Sequence, residues 1–294
     1  MKLTSISLIA LFSFGIVLAK GKISTKERKA LIDLFESTNG AKWNNPWNLN
    51  EPVDTWKGIT IKDNHIVGIN LFRNNLEGTL PASLGRLRHL QHLNLAFNNI
   101  TGVLPEEIIQ LENLMVLRLE MNRIKGTIPS EIGQLKKLQV FSMFNNFLNG
   151  TIPDGFGQLQ DLKELNLSSN NLKGSIPKSL GNLTKLVALG LFENSLDGSI
   201  PAELGNLSKL KELVLANNQL GGDIPMEFAQ LNNLKILQLQ NNRFKSFTGI
   251  QAMDTKQFLV FDTDDKSLRP RFNEIQLQRT RMADTKFEDD NDNE

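Results

Sequence analysis

Few of the side chains that usually carry out catalysis occur in this sequence, and those present are widely dispersed. The chain has no cysteine and no tyrosine, and its three histidines are His65, His89 and His92. Without cysteine there can be no thiolate nucleophile, thiolate zinc site or disulfide bond. Phosphate-binding loops, dinucleotide fingerprints, serine-hydrolase elbows and zinc-protease motifs are also missing from the sequence. We therefore expect a protein that is not an enzyme.

Two acidic groups could in principle move protons or hold cations. Glu106 and Glu107 follow a proline, where paired carboxylates are predicted to be solvated charges on the convex side of the fold. Residues 262–265 read Asp-Thr-Asp-Asp, but they lack the glycine and the distal glutamate of a calcium-binding loop. We expect a solvated turn at this segment, and neither a metal site nor a cofactor anywhere in the chain.

The composition is that of a globular protein with balanced charge. Of 294 residues, 40% are hydrophobic and 22% are charged. The 33 lysines and arginines against 32 acids leave a net charge of +1. Because nucleic-acid-binding domains usually carry an excess of basic residues, this balance argues against a nucleic-acid partner.

The first 19 residues have the pattern of a secretory signal peptide. Lys2 is followed by an apolar run from Leu8 to Leu18, with Ala19 at its end. A short basic region, an apolar core and a small residue at the end are typical of a signal cleaved after Ala19. The alternative is a retained N-terminal anchor, although residues 3–19 are near the lower length limit for crossing a bilayer. We expect no membrane span after cleavage, and a secreted or extracellular protein (periplasmic or surface-exposed in a bacterium).

A repeat of 24 residues dominates the rest of the chain. It aligns one column of prolines, one of glycines three residues earlier, and one of asparagines. The prolines are Pro81, Pro105, Pro129, Pro153, Pro177, Pro201 and Pro225, and the asparagines are Asn74, Asn98, Asn122, Asn146, Asn170, Asn194, Asn218 and Asn242. Such periodicity indicates units that cannot bury their apolar faces alone and must stack on one another.

Each column of the repeat has a physical interpretation. Leucines that alternate with polar residues before the asparagine predict a half-buried strand. A buried asparagine can bond the backbone of adjacent coils and form a ladder through the stack. The glycine permits a backbone conformation or a close approach that a Cβ would obstruct. The proline stiffens the turn away from the sheet, and the Leu-Gly-x-Leu after it predicts a short 3₁₀ turn.

The pattern LxxLxLxxNxLxGxIPxxLGxL resembles the plant-type leucine-rich repeat, over residues 65–246. Such repeats occur in plant receptor ectodomains, in polygalacturonase-inhibitor-like proteins and in secreted microbial proteins. The resemblance implies an α/β fold: a right-handed solenoid of eight repeats with a concave parallel sheet, short second strands on a flank and a helical N-terminal cap.

The two ends are predicted to be caps. In residues 20–64, Ser24 and Glu27 form a capping-box pattern, and Gly40 is a candidate for the helix C-cap. The segment 54–61 resembles the CxWxGVxC cap motif of plant members, but Asp54 and Ile61 stand at its two cysteine positions, so the plant-like disulfide cannot form. Residues 247–283 are predicted to cap the other end, with a strand at 257–261, and 284–294 to be a disordered acidic tail.

All three tryptophans, at 43, 47 and 56, lie before the first repeat. Exposed tryptophans can form a sugar-binding platform, but the first coil also needs a lid on its open side. We favour packing within the cap.

The binding surface is predicted on the concave sheet. Strand residues six, four, two and one positions before each asparagine should face solvent there. Aromatic anchors in a polar surround are typical of protein-binding surfaces, and large exposed apolar patches usually mark contacts. The candidate partner-binding residues are Phe72, Arg73, His92, Asn94, Phe97, Arg118, Glu120, Met121, Phe144, Phe192 and Glu193.

The expected function is that of a secreted, non-catalytic module that binds an extracellular or cell-surface protein through this face. Binding of a cell-wall or extracellular polysaccharide is an alternative, although the face offers neither tryptophan nor tyrosine. Another alternative is a self-associating structural or adhesive surface protein, including a homodimer through the phenylalanine stripe. The phenylalanines could also pack along the sheet without any ligand.

Overall fold

The fold is seen in a computed structural model that describes residues 23–251, 253 and 258–265. The predicted signal peptide (1–19) and acidic tail (284–294) lie outside the described residues. So do residues 252, 254–257 and 266–283 of the predicted C-terminal cap.

One ten-stranded sheet runs the length of the described chain, in the order β1-β2-β4-β6-β8-β10-β12-β14-β16-β18. Strand β1 pairs with β2 in antiparallel fashion and every later pair is parallel. In chain order the strands are β1 Ile59–Lys62, β2 His65–Asn70, β3 Glu77–Thr79, β4 His92–Asn94, β5 Asn99–Thr101, β6 Val116–Arg118, β7 Lys125–Gly126, β8 Val140–Ser142, β9 Phe147–Leu148, β10 Glu164–Asn166, β11 Lys173–Gly174, β12 Ala188–Gly190, β13 Ser195–Leu196, β14 Glu212–Val214, β15 Gly221–Asp223, β16 Ile236–Gln238, β17 Arg243–Ser246 and β18 Val260–Asp262. This architecture confirms the predicted leucine-rich-repeat solenoid.

Short second strands form a flank beside the large sheet, as the family resemblance implied. They pair in parallel twos, β3 with β5, β7 with β9, β11 with β13, and β15 with β17. Strand β17 occupies the place where the Gly-x-Ile-Pro turn would have stood in the last repeat, and it continues the flank by pairing with β15.

Turns of 3₁₀ helix form the side opposite the large sheet. In each of the seven repeats that carry the proline, its carbonyl accepts the first hydrogen bond, as in Leu84 N–H to Pro81 O at 3.1 Å. The 3₁₀ helices are Gly40–Lys42, Val53–Thr55, Ala82–Arg86, Glu106–Gln110, Ser130–Gln134, Asp154–Gln158, Lys178–Asn182, Ala202–Asn206 and Met226–Gln230. Proline suits these starts because its fixed φ is compatible with the turn and no donor is needed there.

The core is a continuous column of leucine and isoleucine between the sheet and the 3₁₀ turns. Leu93 and Leu95 of one coil are both fully buried, as are Leu117 and Leu119 of the next. No coil could bury these side chains alone, so the apolar burial that stabilises the fold exists only in the stack.

The glycine column allows the chain to turn between the large sheet and the flank. All seven glycines have φ between 73° and 135°. At Gly126 (φ 82°) an added Cβ would lie 2.9 Å from Val103 Cγ1 of the previous coil. Because the left-handed region is costly for residues with a Cβ, glycine serves both the turn and the close stacking.

The N-terminal cap is helix α1, Thr25–Ser37, which begins at the predicted Ser24–Glu27 pair and differs from the sequence prediction at its C-terminal end. Ser24 caps the first turn, since its Oγ accepts from the Glu27 N–H at 3.2 Å. The Ser24 hydroxyl in turn donates to Glu27 Oε2 at 2.7 Å, and the other carboxylate oxygen, Oε1, accepts from the Ile66 N–H of β2 at 3.2 Å. The left-handed residue after the helix is Asn39 (φ 58°) and not Gly40, which starts the following 3₁₀ turn.

The three tryptophans are buried in this cap. Their exposed fractions are 4% for Trp43, 5% for Trp47 and 3% for Trp56. Each indole N–H donates to a backbone carbonyl, at 2.9 Å, 2.9 Å and 3.0 Å. Trp47 contacts both other rings with centroids 4.8 Å apart. Such buried rings cannot serve as a sugar platform; they cover the open end of the first coils.

At the other end, the short helix α2, Thr248–Gln251, follows β17. The strand expected at 257–261 is observed slightly later, as β18, and pairs in parallel with β16. It is the edge strand of the large sheet. It therefore adds one more strand after the last repeat that has the recurring asparagine.

The asparagine column forms the predicted ladder. The Asn146 amide lies within bonding distance of three backbone carbonyls, Leu119 O at 3.0 Å, Met143 O at 3.1 Å and Phe144 O at 3.4 Å. Its Oδ1 accepts from the Ile124 N–H at 3.0 Å. Leu119 and Ile124 belong to the preceding coil, so one side chain satisfies buried backbone groups of two coils.

This ladder gives a stability prediction. We expect Asn146→Ala to lower the free energy of unfolding by on the order of 3 kcal/mol, because several buried backbone groups lose their partner. Chemical denaturation of the purified variant measures this loss. Asn149→Ala is the matched control, since Asn149 is exposed and three residues away. Equal stability of the two variants would show that the ladder contributes little.

Candidate binding face

The concave face consists of the strand side chains that alternate with the core leucines. Neighbouring strands are in register, with His92 opposite Val116 and Asn94 opposite Arg118. Equivalent positions of successive repeats therefore form rows across the sheet, at a spacing of ~4.8 Å per strand. All eleven predicted partner-binding residues lie on these rows or in the turn that follows them.

The last residue before each asparagine has a left-handed backbone. Its φ lies between 48° and 58° in all eight repeats. The residues are Arg73, Phe97, Met121, Asn145, Ser169, Glu193, Asn217 and Asn241. The turn directs the backbone N–H of Phe97 to Glu120 O of the next coil, at 2.9 Å. Asparagine tolerates this conformation, whereas for a side chain such as Phe97 or Met121 it costs roughly 1–2 kcal/mol.

Phe72 and Phe97 form an aromatic pair at the N-terminal end of the face. Their rings meet edge to face, with centroids 5.2 Å apart and an interplanar angle of 63°. The Arg73 guanidinium carbon lies 6.0 Å from the Phe97 ring centroid, within the range of a cation–π contact. We call Phe72, Arg73, Phe97 and Met121 the N-terminal cluster. Arg73 is exposed and the other three are half-buried.

The remaining two phenylalanines of the predicted stripe lie on the same face but in different surroundings. Phe144 is only 8% exposed, which corrects the expectation that it projects into solvent. Phe192 packs against a separate apolar group of Val214, Ile236 and Val260, near the C-terminal end of the sheet. Neighbouring strands stand close enough for their side chains to cover one another, so an outward position is not always an exposed one.

Glu120 differs most from its predicted exposure. Its side chain is 1% exposed, and its Oε1 lies 3.3 Å from Arg118 Nη1. Arg118 also lies 3.6 Å from the Glu164 carboxylate of β10. Burial raises the pKa of the Glu120 carboxyl, and the Arg118 guanidinium offsets part of that effect. This charged pair is therefore a structural feature of the face rather than an open contact for a partner.

Three other predicted partner-binding residues differ in whether their side chains are available for contact. His92 is exposed on β4. Asn94 uses its Oδ1 to accept from the Ala96 N–H at 3.1 Å, which holds the turn after the strand. Glu193 is exposed and accepts from Ser169 Oγ at 2.8 Å.

Sequence reasoning missed the apolar group around Phe192. Val214 stands four positions before its asparagine, where the other repeats carry only polar residues or glycine. Ile236 and Val260 stand six positions before the asparagine register, where the other repeats carry valine or alanine as well as glycine, histidine and glutamate. The period-two alternation places all three on the outward side of the sheet, so their apolar character is the sequence signal for this group.

The described residues contain no cluster of three or more potential metal ligands. Within that same part of the chain, no helix has the length and apolarity needed to cross a membrane.

Two family models match the chain. A leucine-rich-repeat region matches residues 71–198, and a two-copy leucine-rich-repeat model matches residues 208–252. Together they cover more than half of the sequence, and the fold is a leucine-rich-repeat solenoid. The chain belongs to the leucine-rich-repeat proteins, and its repeats are of the plant type. No curated protein matches it by sequence.

Several solved structures share this fold. The ectodomain of the Arabidopsis thaliana receptor kinase GASSHO1/SCHENGEN3, in complex with Casparian strip integrity factor 2, is 33% identical with a TM-score of 0.72. The alignment covers 80% of this chain and 29% of that one. The Arabidopsis receptor kinase HAESA, in complex with the peptide hormone IDA and a co-receptor, is 30% identical with a TM-score of 0.71, covering 82% and 41%.

A bacterial relative is also similar. A leucine-rich-repeat protein of Leptospira interrogans is 39% identical with a TM-score of 0.54, and the match covers 65% of this chain and 46% of that one. The chain thus spans less than half the length of each of these three proteins.

The raised pKa of Glu120 gives a pH prediction. Because the folded-state pKa lies above the unfolded one, this group's stabilising contribution is complete below the unfolded value and is lost as pH rises through the folded value. At pH 7 we expect Glu120→Gln to raise the melting temperature by about 2–4 °C. The difference should shrink towards pH 4.

Thermal melts across this pH range measure the effect. Glu112→Gln is the control, because it removes the same charge from a side chain that is 73% exposed. A lower melting temperature for Glu120→Gln at pH 7 would mean that the Arg118 pair outweighs the cost of burial.

Proposed function

We propose that this chain is a non-catalytic recognition module that binds an extracellular or cell-surface protein through the N-terminal cluster of its concave face. The partner presents an apolar side chain to Phe72, Phe97 and Met121. A carboxylate beside that side chain would suit the exposed Arg73. The extracellular setting rests on the secretory pattern of residues 1–19.

The observation that carries this proposal is the backbone conformation of Phe97 and Met121. Both hold a left-handed conformation, with φ of 57° and 56°, where three other repeats use asparagine. The turn gains nothing from a bulky side chain at that position, and the left-handed conformation costs such a residue roughly 1–2 kcal/mol. Two such residues in adjacent repeats, beside Phe72 and Arg73, support selection for contact with a partner.

The solved relatives support a protein or peptide as the partner. The GASSHO1/SCHENGEN3 structure is a receptor ectodomain in complex with Casparian strip integrity factor 2. The HAESA structure is a receptor kinase in complex with a peptide hormone and a co-receptor. This chain spans only part of their length, so the class of partner is transferred here as part of the proposal. The preformed surface would bind with little rearrangement, as apolar anchors in a polar surround.

The double variant Phe72→Ser/Phe97→Asn tests the proposal. Asparagine at 97 suits the turn, because three repeats already carry asparagine at the equivalent position. We expect a loss of about 30-fold in partner affinity, since removing a central anchor costs about 2 kcal/mol or more. Capture from native extracellular material, followed by titration of the captured protein, measures the loss.

Phe147→Ser is the matched control. Phe147 is 54% exposed but lies on the flank strand β9, away from the concave face. Melting curves for both variants check that the fold is intact. Unchanged capture by the double variant would refute the proposal. Binding of the unmodified protein to a glycan array would favour the polysaccharide alternative. Self-association of the unmodified protein in light scattering that the double variant loses would favour the adhesive alternative.

A further inference from the structure

The C-terminal half of the concave face carries an apolar group separate from the main core. It consists of Val214 on β14, Ile236 on β16 and Val260 on β18, with Ala188 and Phe192 packed against them. We call these five residues the C-terminal concave patch. Val214 lies between Leu213 and Leu215, which point into the core, so its side chain faces away from it.

These outward side chains are buried nonetheless. Val214 is fully buried, Ile236 is 9% exposed and Val260 is 2% exposed. Two acceptors beside them, Gln238 Oε1 and Gln240 Oε1, are also buried and have no hydrogen-bond partner among the described residues. Buried acceptors are normally satisfied, and the backbone N–H groups of a docked peptide would satisfy these.

The patch has an acidic surround. The outward strand positions from β10 to β18 include Glu164, Glu212 and Asp262 but no lysine or arginine. The lysines of this region, Lys163, Lys211 and Lys235, stand one residue before strands and thus at the edge of the face. An occupant of this patch should therefore combine apolar side chains with positive charge.

The chain beyond Asp265 has that combination. Residues 266–283 read KSLRPRFNEIQLQRTRMA, with five basic residues, one acidic residue and five large apolar side chains. This segment begins beside the patch, because β18, which contributes Val260 and Asp262, ends only three residues before Asp265. Eighteen extended residues reach about 60 Å, against about 20 Å for the five strands from β10 to β18.

We propose that residues 266–283 dock in cis on the C-terminal concave patch. Their apolar side chains pack on Ala188 and Phe192, the two half-buried residues of the patch, and their arginines face Glu212 and Asp262. The solenoid thus occupies half of its concave face with its own chain and leaves the N-terminal cluster open. This proposal is independent of the proposed function, because it concerns a different part of the face and its test needs no partner.

A single-cysteine photo-crosslinking experiment tests this. The chain has no cysteine, so Ala188→Cys in the full mature chain places a benzophenone-maleimide at one site only. Val116→Cys is the matched control, because it lies in the same row of the sheet, three strands away. We expect cross-links to peptides of 266–283 in the monomer, at least about 5-fold above the control and independent of protein concentration.

Charge reversal supplies a second measurement that leaves the solenoid untouched. Arg269→Glu/Arg271→Glu should lower the cross-link yield from position 188 at least about 3-fold, whereas Lys136→Glu/Lys137→Glu, an equal charge change on the exposed 3₁₀ side, should not. Cross-links no stronger than at Val116 would overturn the proposal. So would cross-links that form only between chains and increase with concentration, which would assign the patch to a second copy.

Discussion

The structure depends on one constraint: the turn after every strand buries backbone groups that the sheet itself cannot pair. The asparagine column meets that need, and Asn98 illustrates it with bonds to Leu71 O of the preceding coil and to Leu95 O of its own. Its Oδ1 accepts from Leu76 N at 2.9 Å, again in the preceding coil. Because every asparagine of the column from Asn98 to Asn242 joins two coils, one repeated side chain helps to set the stacking distance and the register of the sheet.

A solenoid held in this way leaves most of its concave side chains free of structural roles, with exceptions such as Asn94 and the Arg118–Glu120 pair. Glycine, proline, asparagine and the leucines are all committed to the turn, the stack or the core. Residues at the outward positions can therefore change from repeat to repeat without altering the fold. That freedom makes departures informative: Phe97 and Met121 occupy a left-handed position at a conformational cost that the turn does not require.

The parts of this protein that follow from periodicity were predictable from the sequence, and the parts that follow from neighbours were not. The strands, the 3₁₀ turns and the ladder each correspond to residue types that recur every 24 residues, so comparing the repeats of this one sequence is enough to infer them. The burial of Glu120 depends on Arg118 and on the side chains of adjacent coils. Phe144 is likewise covered by its surroundings. Period-two alternation reports the side of the sheet to which a residue points, but not what stands above it.

The two ends of the concave face have opposite character, and this difference has consequences for recognition. The N-terminal cluster combines half-buried aromatic rings with the exposed cation of Arg73, whereas the C-terminal concave patch combines apolar side chains with Glu212 and Asp262. One extended ligand crossing all the strands would need an acidic part for the first end and a basic part for the second. The chain itself supplies a basic apolar segment next to the acidic end, so an external partner has to match the aromatic end alone. Such a division would confine specificity to the first few repeats and make it insensitive to substitutions in the last ones.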